Sequence, residues 1–186
     1  MAAKVKVAVL IGSLRKEAFS RKLALALIAI EVDPLEFEVV EIGQLPLYNE
    51  DFEGNPPPAV VAFRQRVAPL DAVLFVTPEY NRSVPGVLKN AIDVGSRPYG
   101  KSVWQHKPGA VVSISPGVLS AFGANHHLRQ SMVFLDVPMM PQPEAYIGNA
   151  KALFDDKGAL SSDSTRDFLR KFLNAFARWV ERNPAR

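Results

Sequence analysis

This chain predicts a three-layer α/β fold, with a five-stranded parallel sheet between two layers of helices, and three observations predict it. Short runs rich in Val, Ile and Leu alternate along the sequence with longer segments whose apolar residues recur at helical spacing. The runs KVKVAVLI, AVLFV and GAVVSIS are near-continuously apolar, as strands covered by helices on both sides are. Each run leads through a polar or Gly- and Pro-containing loop into a helical segment, the order of right-handed crossovers.

In chain order, Lys4 to Ile11 forms the first strand, and Gly12 ends it. The loop GSLRKEAFS follows, then a helix from Ser20 to about Val32 with Ser20 as its N-cap and Leu23, Leu25, Ala26, Leu27 and Ile30 apolar. Asp33-Pro34 stops it, and Phe37 to Ile42 makes the second strand. Gln44 to Pro58 shows no periodicity and predicts a long surface loop, and Ala59 to Ala68 a short amphipathic helix. The third strand, Ala72 to Val76, opens into TPEYN, and a helix begins at Pro85 and Gly86 with Val87, Leu88, Ala91, Ile92 and Val94 apolar. Gly109 to Ser115 is the fourth strand, and PGVLSAFGA runs from it into a helix that includes HHLRQSMVFL. VPMM and EAYIG, among Pro138, Pro141 and Pro143, give a short strand region at the sheet edge. A surface loop turns at Asp155 to Gly158, and Ser164 to Arg182 is a last helix whose buried side carries Phe168, Leu169, Phe172, Leu173, Phe176, Trp179 and Val180. Five strands in this succession fit a flavodoxin-like sheet of order 2-1-3-4-5.

With 186 residues and 48% hydrophobic content, residues 1–186 are expected to form one domain with a substantial core. The absence of Cys excludes disulfides, thiolate catalysis and Cys-ligated metals. MAAKVKVAVLIGSL has no leader-cleavage pattern, and no stretch reaches membrane-spanning length, so the expectation is a cytoplasmic protein without a membrane partner. The net charge of +3, from 22 basic and 19 acidic residues, is scattered rather than striped, so nucleic acid is not an expected partner.

Open sheets of this class bind ligands outside the carboxyl ends of their strands. The first such loop offers the Ser13 and Ser20 hydroxyls, the Arg15 guanidinium and free backbone N–H groups at a helix start, which together suit a phosphate. A capped helix with solvated charges is the alternative for that loop. The next loops carry Pro78, Glu79, Tyr80 and Asn81, then Ser115, Pro116, Gly117 and Val118. Pro and Gly let backbone approach a planar ring and offer N–H groups to its edge, and Tyr80 can stack on it. Glu79 reads more readily as a capping or solvated acid than as a catalyst. His126 and His127 are adjacent on a helix, point in different directions and predict no metal site. G-x-G-x-x-G, the Walker loop and G-x-S-x-G are all absent.

The motifs GSLRKEAFSRKLA, LPLYNED, TPEYNRSVPGVLKNAIDVGSRP and HLRQSMVFLD resemble those of the NADPH-dependent FMN reductases of flavodoxin-like fold, in particular the bacterial NAD(P)H:quinone and chromate reductase group. The resemblance spans nearly the whole chain. It implies FMN held noncovalently, with Ser13, Arg15 and Ser20 at its phosphate. It places Pro78, Glu79, Tyr80 and Asn81 along one edge of the ring and Ser115, Pro116, Gly117 and Val118 along the other. NADPH or NADH is implied as donor, in a ping-pong cycle with no catalytic side chain. Quinones are the implied acceptors, with chromate, ferric complexes and azo compounds beside them, and a homodimer or homotetramer is the implied assembly. Arg97 is implied as a contact for nicotinamide or an oxidised substrate. The chain departs from the pattern at Arg21, where relatives carry Asn, at Val94, where they carry Trp, and in Asn125 to Gln130, where they carry a tyrosine. A flavodoxin-type electron carrier serving a protein partner is the competing reading, against which the positive net charge counts.

Overall fold

Strand direction and helix placement follow from where the apolar side chains must go. In the computed structural model, which describes residues 4–185, five strands form. They are β1 (Val5–Ile11), β2 (Leu35–Val39), β3 (Ala72–Thr77), β4 (Gly109–Ile114) and β5 (Ala145–Ile147). All neighbours pair parallel, in the order β2-β1-β3-β4-β5. The connecting helices are α1 (Phe19–Ile28), α2 (Pro58–Val67), α3 (Gly86–Ser96), α4 (Phe122–Phe134) and α5 (Asp163–Arg182). This is the flavodoxin-like arrangement that the strand succession predicts.

Because side chains alternate along a strand, each central strand feeds two cores. Val7, Val9 and Ile11 of β1 join Leu74, Val76, Val112 and Ile114 beneath α1 and α5. Ala8, Leu10, Phe75 and Val111 point the other way, beneath α2, α3 and α4. In α5 the buried residues Leu169, Phe172, Leu173, Phe176 and Val180 recur at three- and four-residue steps, as an amphipathic helix requires. No helix among the described residues is long and apolar enough to cross a membrane.

Several boundaries move for physical reasons. The first helix begins one residue early, with Ala18 rather than Ser20 at its N-cap, and ends at Ile28 rather than near Val32. The chain needs residues 29–34 to turn, and the residue before Pro34 disfavours helix. β2 starts at Leu35 because pairing begins where Val5 N donates to Pro34 O; Val40 and Ile42 are buried beyond the ladder, under the α2 layer. At the sheet edge only Ala145–Ile147 forms a strand, while Met139 makes a single bridge to Gly109. Prolines at 138, 141 and 143 supply no N–H for more. The loop after Gly43 contains a 3-10 turn at Glu50–Phe52.

Trp104 is the largest side chain buried to completion, edge-on to Phe63 and beside Phe75, with its indole N–H donating to Ile92 O at 2.8 Å. It lies against Gly95 of α3, where a Cβ would stand 2.4–2.5 Å from the indole. Replacing Gly by Ala in a helix normally stabilises by about 1 kcal/mol, whereas overpacking a core costs about 1–3 kcal/mol. We therefore expect Gly95→Ala to lower the urea-unfolding free energy; a gain in stability would contradict this packing.

Candidate functional site

The carboxyl ends of β1, β3 and β4 lie side by side, with Ile11 level with Val76 and Thr77 level with Ser113. The chain departs from β1 over one face of the sheet and from β3 over the other, so the loops that follow diverge and leave a crevice. Gly12 N donates to Val76 O at 2.9 Å and holds the first loop against β3 where it begins.

That loop leads into a helix start that is open. No side chain caps α1, and no acid stands in its first turn. Ser20 is 1% exposed and its Oγ has no hydrogen-bond partner among the described residues, a costly state for a buried hydroxyl. Ser13 is half-buried, and its Oγ accepts from Arg15 N at 3.3 Å. Arg15 is exposed and enters no ion pair among the described residues. An uncapped helix N-terminus, an unsatisfied hydroxyl and an unpaired guanidinium fit a phosphate group. Arg21 instead pairs with Glu41 at 3.2 Å on the surface.

The loop after β3 closes as a tight two-residue turn. Tyr80 and Ser83 exchange backbone hydrogen bonds of 3.1 and 3.0 Å, and both central residues, Asn81 and Arg82, have positive φ, at 49° and 63°. Tyr80 is 72% exposed on this loop beyond the end of β3. The Glu79 carboxylate turns inward, where Oε2 accepts from Ala124 N at the start of α4. The capping role read for this acid from the sequence thus falls on α4, not on the helix that follows it.

The loop after β4 is fixed from below. Ser113 Oγ donates to Ser120 O at 2.8 Å and accepts from Asn125 Nδ2 at 3.2 Å, and Arg129 Nε donates to Asn125 Oδ1 at 3.0 Å. Pro116, Gly117 and Val118 remain exposed above this network, and among the described residues no backbone acceptor takes the Gly117 or Val118 N–H. Both groups are free for the polar edge of a ring.

Ser13, Arg15, Ser20, Pro78, Glu79, Tyr80, Asn81, Ser115, Pro116, Gly117 and Val118 therefore all lie beyond the carboxyl ends of β1, β3 and β4, on the loops that follow them or at the start of α1. Arg97 does not join them within one subunit. It caps the far end of α3, which rises about 16 Å along its 11 residues away from the crevice. There it lines a groove of about 730 Å³ with Asp93, Tyr99 and Phe134. Val94 of α3 is buried in the α2- and α3-side core and borders a cavity of about 60 Å³ near Tyr48 and Phe52.

Sequence reading passed over the polar anchors. Asn125 and Asn90 are buried, and Asn90 pins the LPLY segment by accepting from Tyr48 N and donating to Pro46 O. An Asn on the apolar face of a predicted helix is the signal that marks such a role. His127 Nδ1 meets Ser83 Oγ at 2.9 Å, and His126 Nε2 meets the Tyr146 hydroxyl at 2.9 Å, so the two histidines do face apart. Burial first, and then its bond to Glu144, push the Tyr146 hydroxyl up to about 12.

A flavodoxin-like domain with an anion-ready first loop is the class that this geometry defines. The profile of the NADPH-dependent FMN reductases matches residues 5–152. A quinone reductase of Pseudomonas putida is 61% identical over 180 residues, with 96% of each chain covered. A 2-hydroxy-1,4-benzoquinone reductase of a Burkholderia species is 45% identical, covering 95% of this chain and 96% of its own. Among solved structures, the flavoenzyme FerB of Paracoccus denitrificans, an NAD(P)H:acceptor oxidoreductase, superposes with a TM-score of 0.90 at 41% identity, covering 97% of this chain and 99% of that one. The chain belongs to the NADPH-dependent FMN reductase family.

Two outcomes follow. Ser20→Ala removes a hydroxyl that no described residue satisfies, so unfolding of the protein without added ligand should show unchanged or higher stability, by up to about 1 kcal/mol. A clear loss would mean that the hydroxyl has a protein partner. The raised Tyr146 hydroxyl favours the neutral form in the folded state. Its stabilising share is therefore complete below the ordinary tyrosine value and is lost as pH climbs towards 12, and alkaline difference spectra of Tyr146→Phe should lack the highest-titrating tyrosine.

Proposed function

We propose that this chain is an FMN-dependent NAD(P)H oxidoreductase that reduces quinones. The observation that carries the reading is Ser20: a buried hydroxyl without a partner at an open helix start, in a chain of this family. FMN held there would supply the hydride- and electron-transfer chemistry between NADPH or NADH and the acceptor. The protein's part is to bind, orient and shield. Ser13, Ser20, Arg15 and the α1 N-terminus hold the phosphate. Pro78, Tyr80 and Asn81 border one side of the ring, with Glu79 behind them, and Ser115, Pro116, Gly117 and Val118 border the other. The free Gly117 and Val118 N–H groups face its polar edge without reorganising. No side chain acts as acid or base.

Quinones are favoured because relatives across 45–61% identity carry quinone-reductase names. Chromate, ferric complexes and azo compounds are further acceptors in this reading. A homodimer or homotetramer in the cytoplasm is its assembly and place. Tyr99 and Phe134, 85% and 86% exposed, flank the groove that Arg97 lines, and a second copy covering that face brings Arg97 to a neighbouring site to meet nicotinamide or the oxidised substrate.

The test is the visible spectrum of the protein reconstituted with FMN. The flavin band should bleach under anaerobic NADPH or NADH and return on adding 1,4-benzoquinone, and double-reciprocal plots should be parallel. Turnover without a protein partner separates an enzyme from an electron carrier; a band that neither donor bleaches would sink the reductase reading. Arg15→Ala should weaken FMN about 10- to 150-fold, the worth of one charge-assisted hydrogen bond of about 1.5–3 kcal/mol.

A further inference from the structure

The loop after β3 is fastened to α4 rather than to the helix it leads into. Glu79 Oε2 accepts from Ala124 N at 3.1 Å, and Glu79 Oε1 lies 3.5 Å from Arg82 Nη1. Ser83 Oγ meets His127 Nδ1 one turn further along α4. At Gly123 the two elements touch so closely that a Cβ would lie 2.6 Å from Arg82 O and 2.9 Å from Glu79 Oε2. The turn is closed by its own Tyr80–Ser83 hydrogen bonds, yet it carries strain. Arg82 at φ 63° is a strained position for a residue with a side chain, and such a conformation persists only where the surroundings impose it.

α4 is also the helix that the β4 loop enters, and Asn125, two residues after Gly123, holds that loop through Ser113. One short stretch of α4 thus meets both loops that border the crevice. We infer that Glu79 is a positioning residue that sets the spacing of the two loops by docking the first on the helix into which the second leads. The inference rests on the FMN reading. Glu79 touches neither phosphate nor reacting atoms; it acts through the loop backbone. A carboxylate bonded to a helix N–H resists displacement in a way that apolar contact alone does not, because the bond is directional.

The experiment compares FMN with riboflavin, which has the ring and no phosphate, by fluorescence quenching. Glu79→Ala should weaken both by the same factor, about tenfold, the worth of a single hydrogen bond to a charged group. Arg15→Ala should weaken FMN alone. Glu79→Gln keeps an acceptor for Ala124 N and should stay within about twofold of the unaltered protein. Gly123→Ala leaves every side-chain partner present and pushes the loops apart from the other side, so it should reproduce the loss. It also carries the test if circular dichroism shows Glu79→Ala unfolded. Combined, the two substitutions should cost less than the sum of each, since they release the same contact.

Unchanged affinity of Glu79→Ala for both flavins would overturn the inference, and so would a loss confined to FMN, which would put Glu79 at the phosphate. If the unaltered protein bound neither flavin, the FMN reading itself would fall first.

Discussion

The crevice depends on the ladder between β1 and β3. β1 is the strand at which the order of the sheet reverses, with β2 on one side and β3 on the other. A right-handed crossover must then carry α1 over one face and the β3 connection over the other. Two loops that leave neighbouring strands for opposite faces cannot pack against each other beyond their first residues. The gap between them is therefore a product of topology, not of any side chain. What side chains decide is how wide it stays and what it attracts.

The fold was legible because its determinants are local and repeated. Val, Ile and Leu runs buried on both faces admit little but central parallel strands, and the 3.6 period of α5 leaves no second interpretation of Phe172 and Phe176. Boundaries were less legible, since they depend on pairing. Leu35 enters β2 because Val5 begins β1, and nothing around Leu35 says so. The residue types of the site could be read from its loops, yet a shift of two positions in the N-cap of α1 turns Ser20 from a cap into a buried hydroxyl without a partner among the described residues. Only the placement of Arg97 was illegible: it is near the site motif in sequence, but it stands at the C-terminal end of α3, a helix length away from the β3 loop.

Ser20 and Arg82 show where the chain gives up stability. One leaves a buried polar group unsatisfied, and the other holds a side-chain-bearing residue at positive φ. Either could be relieved by a small substitution that the surrounding structure would accept, Ala at the first and Gly at the second. Both stand beside the crevice, Ser20 at the start of α1 and Arg82 on the β3 loop; away from it, buried Lys107 donates to the Ala68 and Leu70 carbonyls just past α2, while Arg129 Nη2 is buried with no partner among the described residues. Positive φ recurs elsewhere, at His106, Asp136 and Asn149, so the crevice is marked by Ser20, a buried hydroxyl whose missing partner a ligand would supply.

Loops of this kind cannot be held as strands are. Their backbone groups face water or a ligand on one side, so apolar burial is small, and each needs a partner of defined direction on the other. Here the partners come from the neighbouring helices. Asn90 of α3 takes the segment before Asn49, Asn125 of α4 supports the β4 loop, and the α4 backbone takes Glu79 from the β3 loop. An apolar side chain in any of these places would fill the same space but would tolerate sliding, because dispersion falls off gently with position whereas a hydrogen bond weakens steeply with angle. A site whose chemistry belongs to a bound ring asks chiefly that its walls stay where they are. Polar anchoring from rigid helices meets that need with few residues, and it is why the informative side chains lie one layer behind the surface that a ligand would touch.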